Sequence, residues 1–139
     1  MKKDLTGRVI KAGRARGLAL VSPEPISFFG MVDAETGMVI ERNHPLNGQS
    51  IAGRVLVFPT GKGSTVGSYS LYRLAKAGLA PAAIINAECE PIVAVGAIIG
   101  QIPTLDQVDI HQIHTGDLVT VDGAQITIEE PCQEHNHFD

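Results

Sequence analysis

The chain has 139 residues, about one domain's worth, with 44% hydrophobic and 19% charged residues. Eleven basic residues against fifteen acidic ones leave a net charge of −4, which excludes a general nucleic-acid binder that depends on cation–phosphate contacts. Trp is absent and aromatics make up 4%, so a base-stacking platform for single strands is excluded as well.

Fifteen Gly and eight Pro are spread through the chain, and the segments between them are short. That pattern predicts many short strands with a few helices. Arg8-Val9-Ile10-Lys11 and Gly17-Leu18-Ala19-Leu20-Val21 read as strands separated by Gly13. Ser22-Pro23-Glu24-Pro25 is extended, because proline disfavours helix at the residue before it. Asp33-Ala34-Glu35-Thr36-Gly37 reads as a turn leading into a strand at Met38-Val39-Ile40. Gly53-Arg54-Val55-Leu56-Val57-Phe58-Pro59 is apolar on both faces, the mark of a central strand. A glycine-rich stretch, residues 60–68, follows. Residues 70–78 then have a helical composition, with Leu71, Leu74 and Ala75 on one face and Gly78 as the stop.

Ala82-Ala83-Ile84-Ile85 is a second buried strand, so strand, glycine-rich loop, helix and strand form a βαβ unit. Residues 91–99 fit either a short helix or a strand, since periodicity alone does not separate them. Ile102-Pro103-Thr104-Leu105 is extended. Leu118-Val119-Thr120-Val121 and Gln125-Ile126-Thr127-Ile128 flank Asp122-Gly123, a strong hairpin signal. Residues 1–128 are expected to form one domain and residues 129–139 a polar tail.

The densest apolar run, residues 92–99, is far short of the roughly 20 residues of a membrane helix, and the N-terminal lysines lack the apolar segment of a secretory signal. Cys89 and Cys132 form no CxxC pair, which points to a reducing, cytoplasmic setting. Two thiols also cannot supply the three or four ligands usual for an iron–sulfur cluster.

Thr60-Gly61-Lys62-Gly63-Ser64-Thr65-Val66-Gly67-Ser68 is the stretch most able to carry chemistry. Glycines let the backbone approach a ligand closely, and the start of the following helix presents unpaired N–H groups with a partial positive field. Such a place favours a phosphate, a carboxylate or a developing alkoxide. Lys62 adds a cation, and Ser64 and Thr65 add hydroxyls, so Lys62, Gly63 and Thr65 are candidate substrate-binding residues beside Ser64. A Walker loop is excluded because Gly63, not Ser or Thr, follows Gly61-Lys62. The spacing of Gly63-Ser64-Thr65-Val66-Gly67 also misses the nucleophile elbow. Two readings of Ser64 remain: a helix N-cap, the commoner role, or a base whose alkoxide is held by N–H donors.

Other polar groups weigh less. Cys132, His135, His137 and Asp139 have metal-ligand types at close spacing but lie in the polar tail, where a solvated segment is the default. No metal site is therefore expected in this chain. His111 and His114 read as surface loop, and His44-Pro45 as a turn. Glu88 and Glu90 follow a buried strand and could line a cleft, with a solvated loop as the commoner account. Tyr69 and Tyr72 are expected to pack along the helix.

Several stretches, in order, resemble the small subunit of the aconitase X family. They are Glu24-Pro25-Ile26-Ser27-Phe28, Val32-Asp33 with Thr36-Gly37, and His44-Pro45-Leu46 with Gly48-Gln49-Ser50-Ile51-Ala52-Gly53. Residues 55–69, residues 80–86, and Glu90-Pro91-Ile92 with Gly96 continue the match. The resemblance implies an α/β fold, a swivelling β/β/α domain like the mobile fourth domain of aconitase. It implies dehydration by a two-subunit enzyme, inactive as this chain alone. Ser64 matches the family's catalytic base, and the large subunit carries the iron–sulfur cluster that takes the departing hydroxyl. The family divides by substrate between 5-phosphomevalonate and cis-3-hydroxy-L-proline. The latter type often has a serine-rich run after Gly-Arg-Gly, so Lys62 and Ser64-Thr65-Val66 favour the phosphorylated hydroxy acid. Two other classes stay open: a non-catalytic anion-binding module, and a phosphohistidine carrier, which the setting of His111 and His114 disfavours.

Overall fold

The structure is a computed structural model that describes residues 2–130. In chain order the elements are β1 (Lys2–Thr6), β2 (Arg8–Lys11), β3 (Arg14–Val21), α1 (Phe28–Met31), β4 (Val55–Phe58), α2 (Val66–Lys76), β5 (Ala83–Asn86), α3 (Pro91–Gly100), β6 (Thr104–Asp106), a 3-10 turn (Ile110–Gln112), β7 (Leu118–Asp122) and β8 (Gln125–Glu129).

The strands line up in the order β1-β8-β7-β3-β4-β5-β6-β2, but they do not form one flat layer. β3 belongs to two leaves. Its residues 14–18 pair antiparallel with β7, while residues 19–21 pair in parallel with β4. The first leaf, β1-β8-β7-β3, is antiparallel throughout. In the second, β3, β4, β5 and β6 run parallel and β2 closes the edge antiparallel to β6.

The alternation along β4 explains the layering. Side chains of a strand point to opposite faces, so Val55 and Val57 join one core while Leu56 and Phe58 join another. The first core includes Ala83, Ile85, Val119, Val121, Ile126 and Ile128, and lies between the two leaves. The second includes Ile84, Leu71, Leu74, Val93 and Ala97, and lies under the helices. The result is the expected α/β arrangement of sheet on sheet on helix.

Several local expectations are refined. Helix α2 begins at Val66, four residues earlier than composition indicated, so the second half of the glycine-rich stretch is helical. Residues 91–99 lie in a helix. Glu90 caps it with its side chain and Pro91 sits in the first turn, where a missing N–H costs nothing. Met38-Val39-Ile40 is not a strand, since Met38 and Val39 make only isolated bridges. The hairpin turn is Gly123-Ala124, because Asp122 still pairs with Gln125. β1 and α1 had no sequence signal. β1 is an edge strand of largely polar residues, and α1 is one turn broken by non-helical backbone at Phe29 and Gly30. β8 runs to Glu129, one residue past the boundary expected for the domain.

Candidate active site

The loop that leaves β4 is threaded between two neighbours. On one side it forms a parallel bridge with the segment before α1: Ile26 N–H donates to the Thr60 carbonyl (3.3 Å) and Lys62 N–H donates to the Ile26 carbonyl (3.1 Å). On the other side Gly61 lies against the start of α3. A Cβ on Gly61 would sit 2.5 Å from Glu90 Oε1 and 2.5 Å from Val93 Cγ2, closer than atoms pack. Two residues on, Gly63 has φ +99°, and a side chain there would also collide with the Ser27 hydroxyl. Both glycines are thus required, one by proximity and one by proximity and backbone conformation.

This path delivers Ser64 to the start of α2. Its carbonyl accepts the Gly67 N–H at 2.8 Å and its Oγ accepts the Val66 N–H at 3.1 Å. The N–H groups of Gly63, Ser64 and Thr65 have no acceptor among the described residues. Lys62, Gly63, Ser64 and Thr65 are all exposed. The structure therefore brings together the four residues singled out in the sequence. They form a hydroxyl, an N–H donor already on that hydroxyl and three further open N–H groups, with Lys62 exposed two residues before Ser64. Such a group stabilises negative charge, either on a bound anion or on an oxygen that has lost its proton.

The turn from β5 to α3 faces this loop and is polar at its base. Asp106, wholly buried, accepts both Nε and Nη2 of Arg8 at 2.8 Å and the Cys89 N–H at 2.9 Å. The hydrogen bonds from Arg8 hold the Asp106 carboxyl below the usual carboxylate range, and Asp106 in turn raises the Arg8 guanidinium. Burial first, then the charges of Asp106 and Glu90, pushes the Cys89 thiol up to about 12. Cys89 is the one cysteine among the described residues and offers a single thiol, where an iron–sulfur cluster usually takes three or four ligands. No group of three His, Cys, Asp or Glu among those residues could hold a metal ion.

The remaining candidates fall elsewhere. His44 is a buried structural group: its Nδ1 accepts the Leu46 N–H at 3.1 Å, leaving Nε2–H to face the Pro25 carbonyl at 3.3 Å. His111 and His114 line an apolar cavity of about 260 Å³ with Val21, Pro23 and Pro59, and none of residues 61–65 borders it. Tyr69 and Tyr72 lie along α2 with their rings 6.4 Å apart, and Tyr69 is exposed. Phe29 and Val66 are exposed near the loop as well. Cys132, His135, His137 and Asp139 lie outside the described residues.

The sequence reading did not find how Glu90 caps α3 or that Arg8 pairs with Asp106. Glu-Pro before an apolar run was the available signal for the first. The second joins residues 98 positions apart and leaves no local trace. Among the described residues, no helix is long and apolar enough to cross a membrane.

Comparison with known proteins bears on the same residues. The aconitase X swivel domain family matches residues 4–129. The phosphomevalonate dehydratase small subunit of Methanosarcina acetivorans is 56% identical over 128 residues, covering 90% of this chain and 89% of that protein. The protein of the same name from Methanocella arvoryzae is 56% identical over 129 residues, covering 91% and 98%. The crystal structure of Thermococcus kodakaraensis aconitase X in its holo-form superposes with a TM-score of 0.90 at 52% identity, covering 92% of this chain and 99% of that one. A split-leaf fold, a glycine-threaded loop and this degree of identity agree with one another, and the chain belongs to the aconitase X swivel domain family.

Proposed function

We propose that this chain is the small subunit of a dehydratase that converts (R)-5-phosphomevalonate to trans-anhydromevalonate 5-phosphate in a modified mevalonate pathway. The substrate follows from relatives about half identical to this chain that carry the name phosphomevalonate dehydratase small subunit. The observation that carries the chemistry is Ser64 at an open helix start, its Oγ already receiving the Val66 N–H.

The reaction removes a proton from the carbon next to the carboxylate and a hydroxyl from the neighbouring carbon, leaving a double bond and one water. Ser64 takes the proton. An ordinary serine alkoxide is far too basic to persist, so it must be held by preorganised donors in a site shielded from water. Val66 N–H is in place for this, and Lys62 brings positive charge to the same end of the helix. The open N–H groups of Gly63 and Thr65, with Lys62, bind the anionic substrate. Departure of the hydroxyl is left to the large subunit, where we place the iron–sulfur cluster. Exposed Phe29, Val66 and Tyr69 border the loop, and we assign this apolar rim to contact with that subunit. We assign the complex to the cytoplasm.

The test is anaerobic turnover of 5-phosphomevalonate by this chain mixed with its iron–sulfur subunit, with each alone as control. Dehydration only in the mixture is the expected result. A stable, cluster-loaded complex that ignores 5-phosphomevalonate but dehydrates cis-3-hydroxy-L-proline would overturn the substrate. Phosphate binding by this chain alone, with no partner and no turnover, would reduce the loop to an anion-binding module.

A further inference from the structure

The Glu88-Cys89-Glu90 turn has no part in the chemistry above, yet each of its three residues is held by a hydrogen bond. Glu88 N–H donates to the Pro59 carbonyl at 3.0 Å, and Asn86 Nδ2 donates to the Phe58 carbonyl at 2.9 Å. Both tie the turn to the end of the strand that launches the Ser64 loop. Cys89 N–H is clamped by Asp106, which Arg8 holds through two bonds. Both oxygens of Glu90 are committed: Oε2 accepts the Ile92 N–H at 3.1 Å and Oε1 the Val93 N–H at 2.8 Å. The carboxylate has no freedom left, and it lies directly on Gly61, three residues before Ser64.

We infer that Glu90 is a positioning residue for the Ser64 loop: its pinned carboxylate, beside Val93, is the seat on which Gly61 rests. The inference rests on the reading of that loop as the reactive one. A cap alone would need only an oxygen at the start of α3, and Asp would supply it. A seat needs the oxygen at the reach of Glu. Removing one methylene keeps an oxygen on the start of α3 but draws the carboxylate off Gly61, and the loop gains room to shift. Displacements of about 1 Å at a reacting group cost on the order of 100-fold in rate.

The experiment compares the wild-type chain with Glu90→Asp and Glu90→Gln, each alone and in complex with the large subunit. Melting temperature reports the cap. Amide shifts and hydrogen exchange of residues 62–66, read by NMR on the chain alone, report the seat. The split between kcat and KM reports the site. Glu90→Asp should melt close to wild type, shift the loop amides and speed their exchange, and lower kcat by about tenfold or more with KM little changed. Glu90→Gln keeps the length and one acceptor oxygen, and should restore the amide signature and most of kcat. Val93→Ala, which leaves the cap untouched, should disturb the same amides, so the test survives if Glu90→Asp does not fold. Wild-type loop amides in either Glu90→Asp or Val93→Ala would overturn the inference, as would kcat losses that simply follow melting in both Glu90 variants. Because the amides are read without the large subunit, a failure of Ser64 as the base would be seen separately, as undiminished turnover by Ser64→Ala.

Discussion

Helices α2 and α3 pack side by side, tied by Ser68 Oγ donating to the Ile92 carbonyl at 2.6 Å, and their N-termini lie next to each other. They are finished in opposite ways. At α3 the free N–H groups are closed by the chain's own Glu90, with Pro91 removing one donor altogether. At α2 a serine hydroxyl answers one N–H, and the N–H groups of residues 63–65 stay open. Both helix starts carry the same partial positive charge. Where a carboxylate of the chain takes up the free N–H groups, the helix start becomes a structural fixture. Where a small neutral hydroxyl stands in front of them, the field is left for something else.

The open end of α2 carries the largest expected effects. Ser64→Ala should leave folding and assembly intact, with at most about 1 kcal/mol of stability lost with the cap bond. Turnover should fall by about 1,000-fold, the scale of losing a general base. Steady-state kinetics of the assembled complex check this, and a loss of tenfold or less would return Ser64 to a capping role. Gly63→Ala tests the threading. A side chain must be held at φ +99° and against Ser27, so the variant should lose about 1–2 kcal/mol and about 100-fold in kcat. Denaturant titration and kinetics measure the two losses. Unchanged kinetics would mean that the loop's path does not matter to the reaction.

The closed end should respond in stability rather than chemistry. Asp106→Asn removes the charge that holds Arg8 and weakens the hold on Cys89, at a cost of about 1.5–3 kcal/mol. Because Asp106 titrates lower in the folded chain than its ordinary value of 3.8, the wild type keeps this advantage in full above about pH 4 and loses it as pH falls through the folded value. Chemical denaturation at pH 7 and near pH 2.5 should show a gap between the two proteins that narrows in acid. A gap independent of pH would assign the effect to packing. The smallest effect concerns Cys89. With its thiol pushed up to about 12, only about one molecule in ten thousand carries the thiolate at pH 8. Iodoacetamide should label it far more slowly than a free thiol until denaturant is added, with peptide mapping separating Cys89 from Cys132. Rapid labelling of the native chain would show that the closed turn opens.

The sequence alone was enough for the βαβ unit that carries the site. A doubly apolar strand, a glycine-rich loop and a helix with one apolar face are local patterns, and the Lys62-to-Thr65 run lies wholly inside them. The terminal hairpin was legible for the same reason. What tertiary structure decided is everything that depends on residues far apart. β3 changes partner midway because one half faces β7 and the other β4, and no local signal marks the switch at Ala19. β1 is a strand because β8 offers it an edge, although its own residues are mostly polar. Glu90 could be read as a solvated loop residue until α3 and Gly61 were brought to either side of its carboxylate. Arg8 and Asp106 pair across 98 positions. Backbone preference and hydrophobic period act over a few residues and are written in order along the chain. Register, burial and charge pairing depend on which segments meet, and that is decided only when the two cores close.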